Sequence, residues 1–228
     1  MAGSPGAGKT EFSERYITPV LKQIGNDITK GLGQKDIGAP SAKTLLIRID
    51  ADEIRCFLPQ YKKTNVETQT KGNAHVVQRA VNRGLDILRD YCLTNDISFI
   101  HDGTFGNYST MEKIIKRSIK IDRSIYIYYL YLDPLAAWEN TKAREYIDGR
   151  NILKTKFIEQ YFKSQENVER IKQNFGNSVN IHCILKNSSN KVIDIKFNQP
   201  GVELYLQSQY KNGVIKRYSQ EDLMDLLN

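Results

Sequence analysis

The chain begins with the stretch Met1-Ala2-Gly3-Ser4-Pro5-Gly6-Ala7-Gly8-Lys9-Thr10. Its fixed positions match the G-x-x-x-x-G-K-[ST] phosphate-binding loop, in which small residues let successive backbone N–H groups converge on an anion. The stretch therefore predicts a nucleoside triphosphate site that uses every residue of the loop: Gly3, Ser4, Pro5, Gly6, Ala7, Gly8, Lys9 and Thr10. Lys9 is expected to reach the β- and γ-phosphates of ATP or GTP, and the Thr10 hydroxyl is expected to bind Mg²⁺.

The residues on either side of the loop set two further expectations. A helix is predicted over residues 10–24, and its N-terminus would face the phosphates. Its apolar side chains recur at helical spacing: Phe12, Tyr16, Val20 and Leu21. Because a phosphate-binding loop ordinarily follows a buried strand and only Met1 and Ala2 precede this one, we expect the first strand to be missing, with upstream residues removed, disordered or not numbered.

Composition narrows the class of protein. The 228 residues are 40% hydrophobic and 26% charged, and no apolar run approaches the length of a membrane span, so one globular domain over residues 1–228 is expected without a membrane partner. Three widely spaced cysteines, Cys56, Cys92 and Cys183, predict free thiols and a cytoplasmic location. The net charge of +7 suits a nucleotide, whereas the scattered basic residues argue against nucleic acid.

Strand-like and helix-like segments alternate along most of the chain. Strands are predicted at residues 44–49, 97–101 and 124–132, and helices at residues 53–57, 74–93, 109–120, 133–147 and 155–175. Ser109 is expected to cap the helix at 109–120, and Asp133 the helix at 133–147. Two more strands, at residues 179–185 and 191–197, predict a C-terminal hairpin. Residues 25–43 show no periodicity and predict a long flexible loop. This order predicts a P-loop kinase-like α/β fold, a mainly parallel sheet flanked by helices.

Acidic residues follow two of the predicted strands. Asp50 and Asp52 come after the strand at residues 44–49, and Asp102 follows the next. Carboxyl ends of parallel strands line the ligand crevice, so these carboxylates are candidates for holding Mg²⁺ or for accepting the proton of an acceptor hydroxyl. The residues alone leave alternatives open: Asp52 could cap a short helix, and Asp102 could be a turn residue.

Charged residues on two predicted helices are further candidates. Asp86 has Arg83 and Arg89 three residues away on either side, a spacing typical of a solvated ion-pair face. Arg144 and Arg150 flank the end of another helix. They could clamp a transferring phosphoryl group, or they could be cations placed near a helix C-terminus.

Four segments taken together resemble the zeta toxin family, the kinase half of epsilon/zeta-type toxin–antitoxin pairs. They are Gly-Ser-Pro-Gly-Ala-Gly-Lys-Thr at 3–10, Ile-Asp-Ala-Asp-Glu-Ile-Arg at 49–55, Asp-Gly-Thr at 102–104, and Arg-Glu-Tyr-Ile-Asp-Gly-Arg at 144–150. The resemblance implies an ATP- or GTP-dependent kinase that phosphorylates the sugar of UDP-N-acetylglucosamine or a related sugar nucleotide and so inhibits cell-wall synthesis. It also implies an antitoxin protein, or an inhibitory segment upstream of Met1, that blocks the nucleotide site.

The same resemblance implies a role for each matching residue. Asp52 would be the general base, Lys9 and Thr10 would contact the phosphates and Mg²⁺, and the two arginines of the last segment, Arg144 and Arg150, would be the transition-state cations. Asp86, Thr104 and Asp102 would hold the sugar nucleotide, and Asp102 would also serve the metal. Asp86 and Asp102 stand where the family is expected to have Glu, so each reaches one methylene less far.

Two alternative functions stay open. Another kinase of the same architecture would act on a different small acceptor, such as an antibiotic, a nucleoside or a polynucleotide. A non-catalytic effector would bind a nucleotide only to set its shape.

Overall fold

The computed structural model describes residues 1–21, 23, 46–61, 74, 76–148 and 151–227, so the predicted loop at 25–43 lies outside the described residues. Strand β1 (Leu46–Ile49) pairs in parallel with β2 (Ser98–His101). Strand β3 (Tyr126–Tyr131) pairs in parallel with β4 (Asn180–Lys186), and β5 (Val192–Gln199) runs antiparallel beside β4. The predicted α/β class with mainly parallel strands is confirmed.

Met1 and Ala2 lie between the two sets of strands. Ala2 forms a parallel bridge with Tyr129, in which its N–H donates to the Tyr128 carbonyl at 2.8 Å. On the other side, the nitrogen of Met1 donates to the His101 carbonyl at 2.8 Å. Among the described residues, a one-residue bridge to β3 stands where the sequence predicted a missing strand. Together with the Met1 contact to His101, it attaches the phosphate loop to both the two-stranded and the three-stranded sheet.

Helices flank these strands. They are α1 (Lys9–Phe12), which continues as a π-helical turn (Ser13–Ile17), α2 (Ala51–Cys56), α3 (Gln78–Thr94), α4 (Tyr108–Lys120), α5 (Pro134–Asp148), α6 (Lys154–Phe175), α7 (Val202–Lys211) and α8 (Gln220–Leu226). No helix among the described residues is both long enough and apolar enough to cross a membrane.

The largest helix and the central strand show why the core forms. In α6 the buried side chains recur every three or four residues and form one apolar stripe: Phe157, Ile158, Tyr161, Val168 and Ile171. Strand β4 is buried almost throughout, as expected for a strand covered on both faces. These elements share one buried cluster, in which the Trp138 ring lies 5.1 Å from that of Phe157.

Two details of the fold differ from the sequence prediction. The hairpin is not C-terminal, because α7 and α8 follow it. The sequence signal for α8 is a capping box, in which the side chains of Ser219 and Asp222 each accept from the other residue's backbone N–H. Helix α4 is capped by Asn107, whose side chain accepts from the Thr110 N–H, and Ser109 instead donates to that same side chain. The expected cap at Asp133 is confirmed, since its carboxylate accepts from the Leu135 N–H at 2.9 Å.

Candidate functional site

The phosphate loop approaches its neighbours so closely that two of its glycines have no room for a side chain. Gly3 has a φ of 135° and Gly6 a φ of 75°. A Cβ at Gly3 would overlap the Leu130 carbonyl oxygen, and one at Gly6 would overlap the Ala137 carbonyl oxygen. Glycine is therefore required here by contact as well as by backbone conformation.

Lys9 lies over the start of its own loop. Its ammonium donates to the carbonyl oxygens of Gly3 at 3.2 Å and Ser4 at 2.6 Å. Burial lowers the pKa of Lys9 to about 8; Asp102 counteracts this effect, and the positive charge of Arg144 adds to it. This places the Lys9 ammonium and the charges of Asp102 and Arg144 in one electrostatic environment.

Two other side chains hold the outer carbonyl groups of the loop. The Lys186 ammonium, at the end of β4, lies 3.1 Å from the Ala7 carbonyl oxygen and 3.4 Å from that of Gly8. Asn140 Nδ2, on α5, donates to the Gly6 carbonyl oxygen at 3.0 Å. Sequence reasoning missed both residues, and the only hint was a lysine at the end of a strongly apolar strand.

Thr10 and Asp102 are brought together. The Thr10 hydroxyl donates to Asp102 Oδ2 at 3.1 Å, and the Asp102 N–H donates to the Ile49 carbonyl at the end of β1. The hydroxyl and the carboxylate that the sequence assigned to Mg²⁺ are therefore neighbours at the carboxyl edge of the sheet.

Arg48 joins the carboxylates of this edge, and sequence reasoning missed it. Its Nη2 lies 2.7 Å from Asp50 Oδ2 and 3.1 Å from Asp102 Oδ2, while its Nη1 contacts Glu14 and lies 3.5 Å from Glu53 Oε1. The signal was a single arginine within the otherwise apolar run Leu-Leu-Ile-Arg-Ile. One guanidinium therefore offsets several acidic groups that would otherwise repel one another.

Asp50, and not Asp52, caps helix α2. Its side chain accepts from the Asp52 N–H at 2.8 Å, so the capping alternative considered for Asp52 is wrong. Burial raises the pKa of Asp50, and the negative charges of Asp52 and Asp102 raise it further, against the hydrogen bond from the Asp52 N–H and the charge of Arg48. Asp50 thus acts as a buried structural carboxylate at the carboxyl end of β1.

Asp52 stands on the first turn of α2 and is about one-third exposed. Its carboxylate contacts Arg55, whose Nη2 lies 2.7 Å from Gln78 Oε1 at the start of α3. This chain of contacts fixes the orientation of the Asp52 carboxylate, which the solvent still reaches.

The remaining site residues are placed less centrally. Asp86 is 58% exposed on α3 and pairs with Arg89, the arrangement its sequence spacing suggested. Thr104 is half-buried in the segment after β2, and Arg144 is half-buried near the end of α5. No described contact joins Asp86 to the phosphate loop, and Arg150 lies outside the described residues.

Comparison with known proteins identifies one family and several similar solved chains. The zeta toxin family matches residues 39–198, a range that begins after the phosphate loop. A solved chain from the PezAT chromosomal toxin–antitoxin system of the human pathogen Streptococcus pneumoniae is similar with a TM-score of 0.44 and 12% identity, over 99% of this chain and 75% of that one. No curated protein matches the sequence. Because the family match spans more than half of the sequence, the chain belongs to the zeta toxin family.

Proposed function

We propose that this chain is one kinase domain that transfers the γ-phosphate of ATP or GTP to a sugar hydroxyl of UDP-N-acetylglucosamine or a related sugar nucleotide in the cytoplasm, and so inhibits cell-wall synthesis. Membership of the zeta toxin family supports phosphoryl transfer. The observation that carries the proposal is the contact between the phosphate loop and Asp102: the Thr10 hydroxyl lies 3.1 Å from Asp102 Oδ2.

The donor set fits Mg²⁺ bound together with a nucleotide. The Thr10 hydroxyl and the Asp102 carboxylate are oxygen ligands, and Mg²⁺ is usually held by one or two protein oxygens together with phosphates and water. Among the described residues no group of three or more His, Cys, Asp or Glu side chains could hold a metal alone, which suits an ion that arrives with the triphosphate. When bound, Mg²⁺ would offset charge on the β- and γ-phosphates.

Asp52 is the proposed general base. A base needs a lone pair within hydrogen-bond reach of the acceptor hydroxyl, and the partly exposed Asp52 carboxylate is held in place by Arg55. It lies on the first turn of α2, directly after the cap residue Asp50, and Asp50 shares the Arg48 guanidinium with Asp102.

Cations and sugar contacts complete the assignment. Lys9 would bind the β- and γ-phosphates, and Arg144 with Arg150 would offset charge on the moving phosphoryl group. Asp86 and Thr104, together with the metal-side Asp102, are the proposed contacts to the sugar nucleotide: carboxylates and a hydroxyl can accept hydrogen bonds from sugar hydroxyls.

The test is a transfer assay with ATP or GTP, Mg²⁺ and UDP-N-acetylglucosamine, with the product identified by mass spectrometry. Lys9→Met and Asp52→Asn should each reduce turnover by at least about a hundredfold, because each removes a group that acts on the transferring phosphoryl or the acceptor proton. Matched controls are Lys191→Met and Asp90→Asn, which make the same changes at exposed positions and should leave turnover unchanged.

The outcomes separate the candidate functions. A phosphorylated product formed only from other compounds in a metabolite extract would replace the acceptor and keep the kinase. If the protein binds nucleotide but forms no product, and Asp52→Asn behaves like the unaltered protein, the kinase proposal is refuted. This outcome would favour a nucleotide-binding effector.

An inhibitory partner is part of the same proposal. An antitoxin protein would block the nucleotide site. Expression of the chain should arrest growth, and co-expression of the antitoxin from a neighbouring gene should relieve the arrest. The purified complex should bind ATP fully only after the antitoxin is removed. Equal toxicity with and without the antitoxin would contradict the proposed inhibition.

A further inference from the structure

Lys186 is a second lysine at the phosphate loop, and the proposed function gives it no role. It is the last residue of β4 and is 6% exposed. Its ammonium hydrogen-bonds to the carbonyl oxygens of Ala7 at 3.1 Å and Gly8 at 3.4 Å, and it occupies the space that a Cβ at Gly8 would need. A buried ammonium is costly unless it is hydrogen-bonded, and these carbonyl groups are the partners that the structure shows for it.

Asn140 holds the preceding carbonyl from another direction. Its Nδ2 lies on α5 and donates to the Gly6 carbonyl oxygen at 3.0 Å. In a trans peptide the N–H of one residue points opposite to the carbonyl of the residue before it. Holding the Gly6 and Ala7 carbonyl groups outward therefore turns the N–H groups of Ala7 and Gly8 toward the inside of the loop. The Ala7 N–H does point across the loop, to the Ser4 carbonyl at 3.3 Å.

We propose that Lys186 and Asn140 are positioning residues that orient the N–H groups of the loop for the triphosphate before the nucleotide binds. The inference rests on the proposed nucleotide site and adds residues from β4 and α5 to it. Burial lowers the pKa of Lys186, in keeping with an ammonium held against carbonyl groups behind the loop.

The experiment compares Lys186→Met and Asn140→Ala with a matched control, Lys191→Met. Lys191 lies on the same hairpin and is exposed, so its variant loses the same charge without loss of a loop contact. Isothermal titration with ATP and Mg²⁺ should show about tenfold weaker binding for Lys186→Met, the loss of one charge-assisted hydrogen bond, and a few-fold weaker binding for Asn140→Ala. The control should change by less than about twofold.

Two further measurements separate positioning from simple damage. The KM for the nucleotide should rise in both variants while the KM for the acceptor stays unchanged. Hydrogen exchange of the Ala7 and Gly8 amides should be faster in both variants without any nucleotide present. If Lys186→Met does not fold, Asn140→Ala alone carries the test, because its half-buried side chain contributes little to the core.

The results can fail in distinguishable ways. Suppose that Lys186→Met and Asn140→Ala bind nucleotide as tightly as Lys191→Met and that their loop amides exchange at the same rate. This result would overturn the positioning role and leave the kinase proposal intact. If the unaltered protein binds neither ATP nor GTP, the proposed function fails, and unchanged amide exchange in the variants would then also refute the positioning of the loop.

Discussion

Replacing Arg48 with Met tests whether one guanidinium holds the acidic edge of the sheet together. The substitution keeps an unbranched side chain of similar length and removes the charge. It leaves two carboxylates without their ion-pair partner, and both are well buried: the exposed fractions of the side chains are 9% for Asp50 and 5% for Asp102. Glu14 and Glu53 are more than half exposed, so water can solvate their carboxylates when the guanidinium is removed.

The expected loss of stability follows from these exposures. Removing one partner of a buried ion pair costs about 3–5 kcal/mol, whereas an exposed pair contributes about 0–1 kcal/mol. Arg48 is 14% exposed and makes two buried contacts and two exposed ones. We therefore expect Arg48→Met to lower the free energy of unfolding by about 3 kcal/mol at neutral pH.

The loss should shrink in acid. Burial already raises the folded-state pKa of Asp50, and removal of the guanidinium raises it further. A carboxyl group whose folded-state pKa lies above its unfolded value destabilises the fold while it is ionised, and this penalty disappears as the pH falls through the folded-state pKa. The difference between the two proteins should thus be smaller in acidic solution than at neutral pH.

Urea unfolding followed by circular dichroism measures both effects, and Arg117→Met is the matched control. Arg117 pairs with Asp90 on the surface, where both side chains are about half exposed or more. The control should cost less than about 1 kcal/mol at either pH. Equal losses for the two variants, or a loss in Arg48→Met that does not depend on pH, would refute the reasoning.

Other substitutions test the loop, a helix cap and the core. Burial lowers the pKa of Lys9 to about 8, and a bound triphosphate favours the charged form of this lysine. ATP binding above about pH 8 should therefore be accompanied by proton uptake. Calorimetric titration in buffers of different ionisation enthalpy measures this uptake, which should be absent in Lys9→Met. Asp133→Ala should cost about 1 kcal/mol in urea unfolding because it removes the cap of α5, and a loss under a few tenths would contradict this. Phe157→Ala should cost about 3–5 kcal/mol, since Phe157 is fully buried against the Trp138 ring; a loss below about 1 kcal/mol would show that the site collapses.

Local patterns in the sequence predicted the main helices and strands well. The strand at residues 124–132 and the helix at 155–175 are found within two residues as Tyr126–Tyr131 and Lys154–Phe175, because apolar periodicity reflects which face each element buries. Cap positions were less predictable: Asp50 and Asp52 have the same side chain two residues apart, and only the backbone conformation of Asp50 decides which one caps.

The supporting contacts of the site could not be predicted in this way. Lys186 lies 179 positions from Ala7, and Asn140 lies 134 positions from Gly6, so no local pattern links either residue to the loop. In the sequence, Arg48 is a single charged residue within an apolar strand. Its contact with Asp102 follows from the pairing of β1 with β2, which the local sequence does not specify. Spacing along the chain predicts elements; neighbours across the sheet decide which charges meet.

Strand β5 has a consequence for how the protein behaves in concentrated solution. Within the described part of the chain its outer edge has no strand partner, and Ile193, Ile195 and Phe197 are exposed along it. Such an edge invites pairing between molecules. Two features oppose this: the charge of Lys196, and a register shift with Asn198 at a φ of 51° that bends the strand. Salt that screens Lys196 removes one of these two protections, so the time for which a purified sample stays dispersed depends on its ionic strength as well as on its concentration.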